Sequence, residues 1–252
     1  MRNFLLAMVL AAALPAAAQR APDVIFVPTP QDMVDDMLRL ANVRKGDRHY
    51  DLGSGDGRIA ITAAKRYGVR ATGIDIDPER ISEATANAKK AGVEKLVDFR
   101  LEDLFKADFR DATVITLYLL PDLNLKLRPR VLKELPPGRR VVSHAFDMGD
   151  WKPDMHEKVA YRDVYLWIVP AEVEGRWQVS AGGGNFSVDI KQRYQQIEGS
   201  ANVGSRSVPI GAAKLNGADI EFTVEGTAYR GKVSGNTIEG AAPQGWRATR
   251  GS

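Results

Sequence analysis

The stretch Asp51-Leu52-Gly53-Ser54-Gly55-Asp56-Gly57 decides the fold. Before it, His49 to Leu52 reads as a short strand; after it, Arg58 to Tyr67 carries a helical pattern that Gly68 closes. A glycine loop between a strand and a helix lets the backbone approach a ligand closely at a helix N-terminus. A dinucleotide fingerprint needs a further glycine three residues after the second. Arg58 stands at that place, so the pyrophosphate-binding version fails. The glycines fall instead at alternate positions, 53, 55 and 57, and an acid, Asp51, enters the turn.

Outward from this loop, helix and strand patterns alternate from residue 22 to about 170. Upstream, Met33, Val34, Met37, Leu38 and Ala41 have helical spacing within Gln31 to Asn42. Downstream, Ala71 to Ile76 reads as a strand. Asp77 caps the next helix, with Pro78 at its first position, and that helix ends near Gly92. Leu96 to Leu101 and Ala112 to Leu119 are further strands. A helix from Pro121 to Leu135 stops at Pro136-Pro137-Gly138, and Arg140 to Phe146 follows as a strand. Lys158 to Val169 is β-prone and predicts two more. The alternation predicts an α/β domain, a seven-stranded, mostly parallel Rossmann-like sheet covered on both faces.

After Pro170 the pattern changes. Residues 171 to 252 hold about eight short alternating runs: 176–180, 186–192, 196–202, 208–212, 219–224, 227–233, 237–241 and 246–249. Turn residues separate them, which predicts a small all-β antiparallel barrel or sandwich. Trp177, Phe186, Tyr194, Phe222, Tyr229 and Trp246 are its expected core; a ligand-lined barrel mouth is the alternative.

Composition narrows the function. The 252 residues include no cysteine, which excludes disulfides, zinc thiolate sites and cysteine nucleophiles. His49, His144 and His156 lack metal-ligand spacing, so no metal site is expected. The formal net charge of +3 gives no electrostatic case for nucleic acid as a partner. At the N-terminus, Arg2 precedes the apolar run Phe4 to Leu14, and Ala16-Ala17-Ala18 offers a cleavage site. Residues 1–18 therefore read as a secretory signal peptide, giving a periplasmic or secreted protein without a transmembrane helix in the mature chain. An alanine-rich helix or a misassigned start, with a cytoplasmic protein, is the other reading. The sequence does not determine the oligomeric state.

The loop chemistry points to a ligand without phosphate. S-adenosylmethionine (SAM) carries a sulfonium, an amino group and a carboxylate. Asp51 can bind the amino group by a charge-assisted hydrogen bond. The N-terminus of the following helix favours the carboxylate. Asp75, 24 residues after Asp51, ends the next strand, where an acid can hold ribose hydroxyls. After the third strand, Glu102-Asp103-Leu104 supplies an acceptor for the adenine amino group, and Leu104 or Ile76 can pack on the ring.

These residues, over about 22 to 170, resemble the class I SAM-dependent methyltransferases. Asp51 to Gly57, Gly53, Ser54, Gly55 and Gly57 included, looks like that superfamily's first motif, Asp75 its ribose-binding acid and Glu102-Asp103 its adenine-contacting pair. Val27-Pro28-Thr29-Pro30 followed by the glycine loop is similar to the lysine methyltransferases of the ATP synthase c subunit and of adenine nucleotide translocase, and to the non-SET histone lysine methyltransferase. In that group the Thr-Pro segment lies over SAM, which implies Thr29 and Pro30 as cofactor contacts; a rigid Pro-x-Pro linker is the alternative. The resemblance implies a methyl acceptor that is a protein lysine or another nucleophile, a small molecule included, or an exported SAM-binding protein without turnover. The Asn/Asp-Pro-Pro-Tyr tetrapeptide of many amino methyltransferases is replaced here by Leu117-Tyr118-Leu119-Leu120-Pro121. That argues against adenine-N6 or glutamine methylation. Residues 141–151 are similar to strings in exported bacterial methyltransferase-like proteins. Tyr118, Asn124 and His144 are the candidates for the acceptor side. His144 could accept a proton or be a packed strand residue, and Asn124 could be a helix-surface amide.

Overall fold

The computed structural model describes residues 25–159, 161–243 and 245–251. The signal-peptide reading of residues 1–18 lies outside the described residues. The first part of the chain runs α1 (Gln31–Leu40), β1 (Arg48–Leu52), α2 (Arg58–Tyr67), β2 (Arg70–Asp75), α3 (Pro78–Ala91), β3 (Val97–Leu101), β4 (Val114–Leu117), α4 (Pro121–Glu134), β5 (Arg140–His144), β6 (Met155–Val159) and β7 (Arg162–Ile168). The expected helices and strands all form. Met155 pairs with Leu166, so β6 begins three residues before the β-prone run that predicted it.

The seven strands form one sheet in the order β3-β2-β1-β4-β5-β7-β6. β1 to β5 run parallel to one another. β7 lies antiparallel to β5 and to β6. Strand order reverses between β1 and β4, and in such sheets ligands bind in the crevice beyond the strand ends at that reversal.

Alternation along the central strands sorts their side chains into two layers. Tyr50, Leu52, Ile115, Leu117 and Val141 face the core shared with α4, Phe109 and Trp167. Val114, Val142, Val164 and Leu166 face α1 and α2, against Met33, Met37, Leu38, Ile59 and Ala63. Each of these fully buried aliphatic side chains contributes about 1.5–3 kcal/mol. α1 shows why its sequence forms a helix here: its buried positions fall at 33, 34, 37 and 38, one face of a 3.6-residue period. α3 starts where expected, with the Asp77 carboxylate accepting from Glu79 N–H at 2.8 Å.

The second sheet has nine antiparallel strands: β8 (Gly175–Ala181), β9 (Gly184–Arg193), β10 (Gln196–Val203), β11 (Arg206–Pro209), β12 (Gly211–Asn216), β13 (Asp219–Val224), β14 (Thr227–Ser234), β15 (Thr237–Ala242) and β16 (Arg247–Arg250). Their order, β11-β10-β9-β8-β16-β15-β14-β13-β12, curls into a nearly closed barrel. The predicted run 208–212 is in fact the junction of two strands, β11 and β12, and residues 214–216 add β-structure that the pattern did not reveal. Trp177, Phe222, Tyr229 and Trp246 fill the barrel, and Phe186 packs at its margin. Tyr194 departs from expectation. It sits at positive φ in the β9–β10 turn and packs against the core of the first sheet.

Candidate active site

A cleft of about 900 Å³, open mouth included, lies beyond the ends of β1, β2 and β4, with the segments after β1, β2, β3 and β4 as walls. That volume suits a nucleoside-sized ligand. Gly53, Ser54 and Asp56 form one wall, Asp75, Ile76 and Asp77 the next, and Asp103, Leu104 and Phe105 a third. Tyr118, Leu119 and Leu123 close the far end, and Ile25, Phe26, Val27 and Thr29 lie across the mouth.

The glycine loop is tied to its neighbours by backbone. Gly53 and Ser54 both donate to Ile74 O, at 2.8 and 2.9 Å. Gly55 has φ +52°, and a Cβ there would collide with the Phe26 ring. Gly57 has φ +80° at the N-cap of α2, and a Cβ would run into Phe99 and Ala84. Both positions thus demand glycine for conformation and for space.

The acids have distinct settings. Asp75 is half-buried on the wall; its Oδ2 accepts from Gly55 N–H at 2.8 Å and its Oδ1 from Asp77 N–H at 3.0 Å. Each oxygen keeps a lone pair for a ligand hydroxyl. Asp51 lies behind the loop, 1% exposed. Its Oδ1 accepts from the Thr116 hydroxyl at 2.8 Å, while Oδ2 has no hydrogen-bond partner among the described residues. Burial, with Asp75 and Asp56 adding like charge, pushes its carboxyl up to about 8. Ser54 Oγ is a second buried polar atom without a partner among the described residues. Asp103 lines the cleft and accepts from Phe105 N–H at 2.9 Å.

Not every predicted contact reaches the cleft. Thr29, Gly53, Ser54, Asp75, Ile76, Asp103 and Leu104 line it. Gly55 and Gly57 shape the loop behind the wall. Pro30 is the N-cap residue of α1, and Glu102 is exposed, its N–H completing the β2–β3 ladder at Asp75 O; neither faces the cleft.

The three acceptor-side candidates separate. Tyr118 is on the wall. His144 packs against it, ring centroids 4.0 Å apart and planes tilted by 32°, with Nδ1 at 3.4 Å from Thr29 Oγ1. Burial, helped by Arg162, lowers its imidazole to about 4, so it is neutral at pH 7. Asn124 is neither on the wall nor on the helix surface. It is fully buried, and its amide donates to Ser143 Oγ, Phe146 O and Asp147 O at 3.1–3.2 Å.

Sequence reasoning missed the clamp on the segment across the mouth. The Arg58 guanidinium pairs with Asp56 at 2.6 Å and donates to Thr29 O at 2.9 Å. It also passed over Phe26, whose ring covers Gly55 and lies 5.0 Å under the Arg80 guanidinium. The only sequence signal for either was an aromatic just ahead of the Thr-Pro segment.

Comparison with known proteins decides what this cleft belongs to. A protein-lysine N-methyltransferase of Saccharolobus islandicus is 45% identical over 153 residues, 59% of this chain and 95% of that protein. The chain belongs to the SAM-dependent methyltransferases. The ANTKMT methyltransferase domain family matches residues 51–155 of this methyltransferase. The human lysine N-methyltransferase of the ATP synthase c subunit is 31% identical across 51% of this chain and 54% of its own length, so the chain spans about half of that relative. A Salinibacter ruber RNA methyltransferase, solved with S-adenosylhomocysteine, is 55% identical with a TM-score of 0.58, covering 58% of this chain and 96% of that one. The methyltransferase uses SAM as its cofactor, and the residues present fit it: a buried acid with an unpartnered oxygen, a glycine cradle and a wall acid with spare lone pairs. The family match ends at residue 155, before the barrel begins at β8.

Proposed function

We propose that this enzyme methylates a lysine amine of a protein. The observation that carries the reading is the far end of the cleft. There Tyr118, Leu119 and Leu123 make an aromatic and aliphatic wall without an amide or acid to grip a planar base. The 45% identity with the Saccharolobus protein-lysine N-methyltransferase supports it.

In this reading Asp51 takes the SAM ammonium, Asp75 the ribose hydroxyls and Asp103 the adenine edge, with Thr29 held over the ligand by Arg58. SAM supplies a methyl group already activated on a sulfonium, so the chain has to position, desolvate and deprotonate the acceptor. An amine beside Tyr118 and Leu119 sits in a weakly polar wall that lowers its pKa and favours the neutral nucleophile. His144 and Asn124 act from behind. His144 fixes the Tyr118 ring, and Asn124 fixes the loop that follows β5.

Labelled SAM offered with cell-envelope protein should leave the label in N-methyl-lysine after acid hydrolysis. The likeness to the Salinibacter RNA methyltransferase favours a second reading, an RNA acceptor. A parallel incubation with total RNA separates them: label in nucleosides and none in lysine overturns the lysine reading.

We further propose, from residues 1–18, that the mature protein works outside the cytoplasm. Among the described residues no helix is long and apolar enough to cross a membrane. Cell fractionation with N-terminal sequencing tests this directly. A cytoplasmic protein that starts at Met1 would overturn it.

A further inference from the structure

The layer between the central strands and α1/α2 is made of Met, Val, Leu, Ile and Ala side chains. Three neighbouring polar groups on its two central strands, β1 and β4, interrupt it. His49 and Asp51 are two residues apart on β1, hence on the same face, and Thr116 pairs with Asp51 across β4. All three are at most 1% exposed. Polar groups in such a layer cost stability unless they are paired. Here they are paired with one another, the Thr116 hydroxyl lying also 3.5 Å from Tyr50 O. His49 Nε2 lies 2.9 Å from Thr116 Oγ1, which lies 2.8 Å from Asp51 Oδ1.

With Asp51 ionised, as it is when a cation is bound, the chain has one consistent direction. An ionised carboxylate only accepts, so the Thr116 hydroxyl donates to Asp51 Oδ1. Thr116 Oγ must then accept from His49 Nε2–H, which fixes the His49 tautomer. The run ends at Asp51 Oδ2, buried and without a partner among the described residues. We propose that His49 and Thr116 are positioning residues for the cofactor: they hold Asp51 by Oδ1 and leave Oδ2 aimed at the ligand's ammonium. This rests on the cofactor placement above.

Burial of the Asp51 carboxyl, with Asp75 and Asp56 nearby, agrees with the geometry, because an acid so placed ionises fully only when a cation reaches it. The ionisable groups on the surrounding elements include Arg58 paired with Asp56, Asp75 on β2, Asp47 paired with Arg140 before β1, His144 on β5 and Asp32 on α1. None of the cations among them is hydrogen-bonded to Asp51 Oδ2.

The test uses calorimetry with S-adenosylhomocysteine and with its deamino analogue, which lacks only the ammonium. Wild type should prefer the amino ligand. Its affinity should climb by up to about tenfold per pH unit between pH 6 and 8, with a proton released on binding, while the deamino analogue stays flat. Thr116→Val, near-isosteric, should lose about tenfold of that preference without weakening the deamino analogue. Thr116→Ser should restore it, and His49→Leu should lower it. Equal loss for both ligands in Thr116→Val, or no loss at all, overturns the inference. Wild type that binds both alike, at every pH, overturns it together with the placing of the ammonium at Asp51, while SAM as the cofactor stands. Wild type that binds neither ligand sinks both.

Discussion

Arg58 shows how a residue can be read correctly for what it forbids and missed for what it does. As a non-glycine it removes the dinucleotide fingerprint. In the folded chain its guanidinium, held by Asp56, clamps Thr29 O. That contact joins residues 29 positions apart, which no local pattern encodes. Asp51 and Asp75 were legible because strand-end acids sit at fixed distances from a glycine loop. Thr116 was not, because it reaches Asp51 only through β1–β4 pairing, 65 residues away. Arg58→Ala should free the segment over the mouth and weaken S-adenosylhomocysteine binding roughly tenfold, the size of one charge-assisted hydrogen bond; calorimetry reads it. The buried imidazoles make a second prediction at this scale. Burial lowers His49 to about 3 and His144 to about 4. Both bind protons more readily in the unfolded chain, so stability they share at pH 7 is lost as pH falls below about 6.5, until the folded-state values are reached. His144→Gln should therefore shrink the drop in urea midpoint between pH 7 and pH 5. An unchanged drop would show that His144 titrates normally.

At the scale of elements, the periodic patterns carried most of the information. α2 spans the residues its pattern marked, since a buried stripe at 59, 60, 63 and 64 requires a helix. The acceptor-side loop was harder. Its position is set by α4, through Asn124 and through Arg128, which donates to Met148 O at 2.6 Å and pairs with Asp150. A helical Asn and Arg look like surface residues in sequence, and only the return of the chain after β5 turns them inward. Asn124→Leu removes the donor shared by two loop carbonyls and by the buried Ser143 hydroxyl. It should cost about 2–4 kcal/mol in urea unfolding. Methyl transfer should fall while S-adenosylhomocysteine affinity holds, because Asn124 lies behind the wall and not on it. Affinity and transfer falling together would place Asn124 in the cofactor site instead.

On the scale of the whole molecule, the barrel is more than an appendage to the sheet. Its β9–β10 turn inserts Tyr194 against Trp151, rings 5.9 Å apart, with the Arg128 guanidinium 5.6 Å from the centre of the same tyrosine ring. The Tyr194 hydroxyl donates to Asp150 at 3.1 Å, Arg193 pairs with the same carboxylate, and Gln195 bonds both the Trp151 indole and Lys152 O. Alternation alone assigned Tyr194 to the barrel's own core, because a pattern tells which residues are buried and not against what. The docked turn therefore braces residues 150–152, next to the stretch 146–150 that Asn124 and Arg128 hold from the other side. Tyr194→Ala should destabilise the chain by about 3 kcal/mol through lost burial and the cavity it leaves. Amide exchange should quicken in residues 146–152 while it stays slow in β1 and β4, where the cofactor acids are anchored. Quickening confined to the barrel would mean that the two sheets fold and act separately. Quickening in the loop would mean that the barrel helps set the acceptor side of the cleft from a distance.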